Sequence, residues 1–495
     1  MIVAGLDVGT TSVKGLALDT GDGRVVASAE QGYPFDTPRP GWAEQDPELW
    51  WQASEQVLAE LSAAAGSGGL GGIGLSGQMH GLVALDSSDA VLRPALLWND
   101  QRTAVETAEI EERLGGLEGV VRATGNRAVT GFTAPKLLWM AHHEPELYAR
   151  VAHVLLPKDY VRLRLCGEHA TDVTDASGTL WFDVGERRWS DAVLDALEVD
   201  AAWLPRAKES GVATGTTSGG TPVAAGAGDQ GAGALGVGVD RAGGPVSVVL
   251  GTSGVVLSAL PAYAADPQGR VQVSCHALPD AWFGMGVVLS AAGSLRWLRD
   301  VTGDVQFGGL DAEAERWAPG AEGLTFLPYL TGERTPHFDA DARGAFAGLS
   351  VRHDRGALAR AVLEGVAFAM RDSLDLVASL GGQPSVGRVS GGGAASDLWM
   401  KIMASVLELP LERVAVDEGA AYGAALLGGV AAGEWASAEE AVEACVRTRA
   451  TIDPVDDWIE PYREARERFI ALYPALKEAA APEGAAANQQ LATSN

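Results

Sequence analysis

The sequence predicts an α/β protein of two similar halves, each built on a sheet flanked by helices, with the functional cleft between them. Three observations lead there. The chain has 495 residues, too many for one ordinary hydrophobic core. A strand, a Gly-Thr turn and a returning strand occur twice, in residues 2–19 and again in residues 246–257. Between the copies lies an Ala/Gly-rich run, residues 225–238, in which Asp229 is the single carboxylate.

Composition narrows the partners. A net charge of −28 argues against nucleic acid and anionic membrane surfaces, which reward Lys and Arg. Cys166, Cys275 and Cys445 are far apart and lack metal-ligand spacing, as expected of a reduced cytoplasmic protein. Asp7 interrupts the first apolar run and no basic segment precedes it, so neither a leader peptide nor a membrane span is expected. Residues 479–495, rich in Ala, Gln, Asn and Ser without periodicity, read as a disordered tail.

Taken in order, Ile2-Val3-Ala4-Gly5-Leu6-Asp7 reads as a strand and Val8-Gly9-Thr10-Thr11-Ser12 as a tight turn. Val13-Lys14-Gly15-Leu16-Ala17-Leu18-Asp19 is the return strand. Hydroxyls and backbone N–H groups at such a hairpin suit phosphate oxygens. Asp7 at the strand end suits a hydrated magnesium ion. An ordinary hairpin explains the same residues, but the second copy, around Gly251-Thr252-Ser253, implies nucleotide held between two halves. No P-loop pattern is present, and loose Gly-x-Gly matches are expected by chance among 63 glycines.

Residues 47–65 have amphipathic helical spacing. Ile73-Gly74-Leu75-Ser76 is a short strand ending at Gly77-Gln78-Met79-His80-Gly81, where polar groups meet the hydroxyls of a small ligand. Trp98-Asn99-Asp100-Gln101-Arg102 sets a ring beside an amide, a carboxylate and a guanidinium, the make-up of a sugar site. Asp100 and Arg102 are equally readable as a structural ion pair. Residues 123–140 form a loop carrying Arg127 and leading into a helix with Pro135 near its start. At the central run a buried strand end passes into a helix, with Asp229 at the junction. Taken alone, Asp229 reads as well as a helix cap as it does as a catalytic base.

The runs Gly5-Leu6-Asp7-Val8-Gly9-Thr10-Thr11, Ser76-Gly77-Gln78-Met79-His80-Gly81, Trp98-Asn99-Asp100-Gln101-Arg102, Gly131-Phe132-Thr133-Ala134-Pro135-Lys136 and Gly228-Asp229-Gln230 together resemble the FGGY carbohydrate kinase family. The resemblance extends from residue 2 to about residue 435. Its Gln-Met-His run is similar to that of the members acting on D-xylulose. It implies two actin/hexokinase-like (ribonuclease H-like) domains with mixed central sheets and an active-site cleft between them, residues 1–241 and 242–478. It further implies transfer of a phosphoryl group from ATP, with Mg2+, to D-xylulose.

In that frame Asp229 is the base, and Asp7 and Asp229 hold magnesium through water. Met79, His80, Asn99, Asp100, Arg127 and Gln230 surround the sugar. Thr10, Thr11, Ser12, Lys14 and Thr252 meet the phosphates, and Gly293, Gly392, Gly393 and Ser396 meet the nucleoside side. Ser396-Asp397 stand where the family has an asparagine-type residue. A homodimer is the assembly expected. The alternatives are another kinase of the family, acting on gluconate, L-ribulose, L-fuculose or glycerol, and a sugar sensor that has lost catalysis. The sensor is disfavoured because Asp7, Thr10, Thr252 and Asp229 are all present.

Overall fold

The computed structural model describes residues 1–303, 306–416 and 419–480. Most of the expected tail, from residue 481 onward, lies outside them. Two seven-stranded mixed sheets organise the chain.

The first opens with β1 (Ile2–Val8), β2 (Ser12–Asp19) and β3 (Arg24–Gly32), an antiparallel meander. Helix α1 (Pro47–Ala65) begins where sequence reasoning put it, because the Asp46 carboxylate caps the Glu48 N–H and Pro47 fills the first turn. Its buried Trp50, Ala53, Ser54, Val57 and Leu61 form one helical stripe against this sheet. Next come β4 (Gly72–Gly77), β5 (Val83–Leu85), α2 (Thr133–His143), β6 (His153–Leu155), α3 (Pro157–Cys166) and β7 (Ala170–Asp172). β8 (Ala213–Thr216), β9 (Pro222–Ala224), β10 (Ala227–Gly228) and α4 (Asp229–Gly236) complete this half. The sheet order is β8-β9-β4-β1-β2-β3, with β10 also pairing β4.

The second sheet repeats the plan. β11 (Pro245–Leu250) turns back through Gly251-Thr252-Ser253 into β12 (Gly254–Leu260), followed by β13 (Gln272–Cys275), β14 (Trp282–Val288) and helix α5 (Ala292–Val301). Helix α6 (Arg355–Ser379) leads to β15 (Val386–Ser390), α7 (Asp397–Leu407), β16 (Leu411–Val414), α8 (Gly419–Ala431), β17 (Thr448–Ile452) and α9 (Asp456–Ala480). Its order is β13-β14-β12-β11-β15-β16-β17. In both sheets the opening strand has an antiparallel hairpin partner on one side and a parallel strand on the other.

One element departs from chain order. Helix α8, from the second half, packs on β1 and β4 of the first sheet and on α4. Its Ala/Gly composition makes this possible. A Cβ on Gly74 would lie 1.7 Å from the Ala424 carbonyl oxygen, and one on Gly423 would lie 1.9 Å from that of Ala232. Backbone therefore meets backbone where α4 and α8 cross between the sheets. Among the described residues no helix is long and apolar enough to cross a membrane.

Candidate active site

Asp229 is placed by a tight crossing over β4. Gly226 has φ +76°, and a Cβ there would lie 2.0 Å from the Leu75 carbonyl oxygen, so glycine alone fits. β10 then pairs with Ser76 and Gly77, and Asp229 opens α4. On the other side of β4, Asp7 pairs in register with Ser76, whose hydroxyl donates to Asp7 Oδ1 at 3.1 Å. The two carboxylates thus flank the end of one strand.

The cap reading of Asp229 fails. Gly228 occupies the cap position with no side-chain cap bond, and among the described residues the buried Asp229 Oδ1 has no hydrogen-bond partner. Burial, then repulsion from Asp7, raises the Asp229 pKa to about 7 against hydrogen bonds from Gln230. Burial raises Asp7 as well, opposed by Ser76 and by Lys14, its neighbour across the hairpin. Two repelling carboxylates with a free buried oxygen are the hard-oxygen donor set that a hydrated Mg2+ satisfies, so these residues fit that ion.

A cavity of about 240 Å³ opens beside Asp229 and Gln230. The first half contributes Met79, His80 and Trp98, and the second contributes Ser253, Val255, Gln272, Met285, Val287 and Arg334. Met79 lies against Gly228, where a Cβ would come within 2.7 Å of its Cγ. His80 Nδ1 is 2.7 Å from the Gly178 carbonyl oxygen. A carbonyl only accepts, so Nδ1 carries the proton and Nε2 is left as an acceptor. Burial, then the Lys136 and Arg334 cations, lowers the His80 pKa to about 3, so the ring is neutral. Lys136 Nζ donates to the His80 carbonyl at 2.8 Å and to that of Gly131 at 2.5 Å. It thereby holds two loops around the cavity.

The phosphate-type turn and the sugar-type loop touch directly. Trp98 Nε1–H donates to Thr10 Oγ1 at 3.0 Å, and the Thr10 hydroxyl donates to Gln78 Oε1 at 3.1 Å. With its proton engaged, Thr10 has chiefly its backbone to offer a phosphate in this arrangement. Thr11 is exposed, and Lys14 lies beside Asp7. In the second turn, the Thr252 carbonyl accepts from Ala291 and from Gly293, at 2.8 and 3.1 Å, so Thr252 and Gly293 are brought together. Gly391 lies on the same strand end, where a Cβ would be 2.7 Å from the Leu250 carbonyl oxygen, and Gly392 faces open space.

Five of the expected residues are engaged by the protein itself in this structure. Asp100 is fully buried, chelated by Arg102 through Nε and Nη2 and accepting the Ala43 N–H at 2.7 Å. Its oxygens are saturated, so the ion-pair reading holds. Ser12 donates to Glu30 at 2.7 Å on the neighbouring strand. Arg127 stacks on Phe338, 4.3 Å from the ring centre, and does not line the cavity. Gly393 is small because Leu250 and Trp399 would each be 2.9 Å from a Cβ. Ser396 caps α7 through the Trp399 N–H at 3.0 Å, and Asp397 pairs with Arg413. Asn99 is half-buried with Oδ1 unpartnered and remains available.

Sequence reasoning missed Arg334 and Gln272. Arg334 Nη2 donates to Gln272 Oε1 at 3.2 Å, and among the described residues no carboxylate pairs with it. Its neighbour Glu333 accepts the Leu289 and Arg334 N–H groups, but burial raises its pKa to about 8, so at neutral pH it is mostly uncharged. Burial and the Arg127 charge lower the Arg334 pKa to about 10. The only signal was the Gly332-Glu333-Arg334-Thr335-Pro336 loop itself.

Also missed was a support beneath Asp229. Lys158 pairs with Asp172 at 2.8 Å, Asp172 Oδ2 accepts the Thr174 hydroxyl at 2.6 Å, and Thr174 Oγ1 accepts the Gly228 N–H at 2.8 Å. All three side chains are fully buried. Burial opposes the Lys158 charge, but Asp159, Asp172 and Asp175 hold it protonated. Thr174→Val keeps the shape but leaves the buried Gly228 N–H without its acceptor, at about 1–3 kcal/mol, while Asp172 Oδ2 keeps the Thr174 and Asp175 N–H groups. A lower denaturation midpoint is expected, with Thr174→Ser near the parent. Equal midpoints for Val and Ser would show the hydrogen bond to be idle.

The chain matches the N-terminal domain of the FGGY family of carbohydrate kinases over residues 2–236 and the C-terminal domain over residues 246–432. It is 41% identical over 488 residues to the xylulose kinase of Escherichia coli (strain K12), covering 95% of this chain and 98% of that protein. Among solved structures, one described as a xyloylose kinase from Brucella ovis superposes with a TM-score of 0.91 at 42% identity, covering 97% of this chain and all of that one. A gluconate kinase from Lactobacillus acidophilus superposes with the same TM-score of 0.91 at 26% identity, covering 96% of this chain and 98% of that one. The chain belongs to the FGGY family of carbohydrate kinases, carrying both of its domains.

Proposed function

We propose that this kinase transfers the γ-phosphoryl group of ATP to the C5 hydroxyl of D-xylulose. The observation that carries the reading is the Asp229 carboxylate, with one oxygen buried and unpartnered, in the same cavity as Met79 and His80. The xylulose kinase relatives supply the sugar. Asp229 accepts the C5 hydroxyl proton as the O5–phosphorus bond forms and the bond to the β,γ-bridging oxygen breaks, releasing ADP. Neutral His80 Nε2 accepts from a sugar hydroxyl, and Gln230 and Asn99 bind others. The turns at Thr10-Thr11 and Thr252, with Lys14, would hold the phosphates, and Gly293 and Gly392 would let the nucleoside approach backbone. Asp7 and Asp229 would hold Mg2+ through water, and the ion would supply charge neutralisation at the phosphates.

A second reading has a specific observation behind it. Arg334, a cation in the cavity with no carboxylate partner among the described residues, suits the carboxylate of gluconate, and a gluconate kinase is among the structural relatives. Turnover is therefore measured on D-xylulose, gluconate, L-ribulose, L-fuculose and glycerol by coupled ADP release. D-xylulose is expected to give the highest kcat/KM, with product phosphorylated at C5. A preference for gluconate would replace the substrate and keep the base. ATP binding without turnover on any of them would favour the sensor.

The same proposal takes the division at residues 241/242, a cytoplasmic setting and a homodimer as its working context. Light scattering on the purified chain reports the last directly.

A further inference from the structure

We propose that Asp89, His153 and His169 form a binding site for one divalent transition-metal ion, such as Zn2+ or Co2+, apart from the catalytic cavity. Three segments bring the donors together. Asp89 sits in the turn after β5, His153 begins β6 opposite Leu85, and His169 immediately precedes β7. His169 Nε2 is 2.8 Å and His153 Nε2 is 3.9 Å from the same Asp89 oxygen, and the imidazole ring centres lie 4.3 Å apart, tilted by 33°. One ligand atom from each residue lies within 4.8 Å of the other two. Ligand bonds of about 2.0–2.2 Å need these atoms roughly 3–3.5 Å apart, a movement of about an ångström that partly exposed side chains allow.

The carboxylate is positioned before any ion arrives. Asp86 Oδ1 accepts the Ser88 N–H, the Ser88 hydroxyl and the Ala90 N–H at 2.9, 2.7 and 3.1 Å. This holds the turn in which Asp89 has φ +63°. The nearby Arg150 pairs with Asp86 at 3.1 Å, and among the described residues no Lys or Arg pairs with Asp89. Its carboxylate faces the two imidazoles instead.

The donor set decides the ion. Two imidazoles and one carboxylate suit Zn2+, Co2+ or Ni2+, whereas Mg2+ prefers oxygen donors and retained water. This site is thereby chemically distinct from the one at Asp7 and Asp229. Three protein ligands leave positions for water. An ion there would tie β6 to the start of β7. Those strands flank α3, and Lys158 on α3 joins Asp172 on β7 in the buried support under Asp229.

The test uses the full chain, stripped with chelator, and Co2+ followed by its visible absorption, with Zn2+ by calorimetry. One ion per chain is expected, with a rise in Tm. Losing a group merely supporting a metal ligand costs about 10–100-fold in affinity. His153→Ala, His169→Ala and Asp89→Ala should each lose at least that, and should lose the Tm rise. Kinase activity measured with Mg2+ alone should stay at the parent level. His142→Ala/His143→Ala, which removes a separate pair near Glu106, should bind as the parent does. Absence of binding to the parent, binding that survives the three single variants, or loss in the His142/His143 variant instead would each overturn the proposal.

Discussion

Asp229→Asn is expected to lower kcat by about 10²–10⁴-fold while D-xylulose and ATP still bind. The amide keeps the shape and the hydrogen bonds to Gln230 but cannot take the hydroxyl proton. A variant with near-parental kcat would assign the base elsewhere. The parent should show the matching pH profile. Asp229 works unprotonated, and burial with the Asp7 charge places its pKa at about 7. The free enzyme's kcat/KM should therefore rise with pH through about 7 and flatten above it, and that limb should be absent in Asp229→Asn.

Stability moves the opposite way. The folded-state pKa of Asp229 lies above the ordinary 3.8, so its protonated form favours folding. That contribution is present at low pH and lost as pH rises through about 7. Without Mg2+ or nucleotide, Asp229→Asn should be the more heat-stable protein above pH 7. The gap should close toward pH 4. Parallel Tm curves across that range would mean that Asp229 is not strained by burial.

Arg334→Met is expected to lower kcat/KM for the preferred sugar by roughly 10- to 150-fold, the equivalent of about 1.5–3 kcal/mol for one charge-assisted hydrogen bond. The reasoning is electrostatic. The guanidinium lines the cavity, has Gln272 as a neutral partner and sits beside a Glu333 that is mostly protonated at neutral pH. Such a cation is available to substrate or to developing negative charge. Arg334→Lys should recover little, because an ammonium cannot reproduce the planar fork. Parental kcat/KM in Arg334→Met would reduce this residue to a packing role and remove the main support for the gluconate reading. The two predictions separate cleanly, since Asp229 belongs to the first half and Arg334 reaches the cavity from the second.

What the sequence by itself determined is local. The strand–turn–strand plan was legible twice because apolar strands interrupted by Gly-Thr turns leave short-range signatures, and both hairpins formed. The α1 start was legible from the amphipathic spacing that begins at Pro47, and the strand-to-helix junction at Asp229 from its Ala/Gly surroundings. The Gln-Met-His run marked the cavity residues Met79 and His80 for the same reason: they follow directly from the end of β4.

Tertiary structure decided which polar groups were already satisfied. Asp100, Ser12 and Ser396 have side chains suited to a ligand, but Arg102 with Ala43, Glu30 and the Trp399 N–H engage them. Composition cannot distinguish a free acceptor from a saturated one, because the partner can lie far along the chain. Gly392 and Gly393 are adjacent and alike in sequence, yet one faces open space and the other lies under Trp399. Arg334 and Thr174 entered the site only through packing between remote segments. Helix α8 crossed to the first sheet because glycine and alanine let two backbones meet. Spacing along the chain records the periodicity of an element but not the surface it will meet.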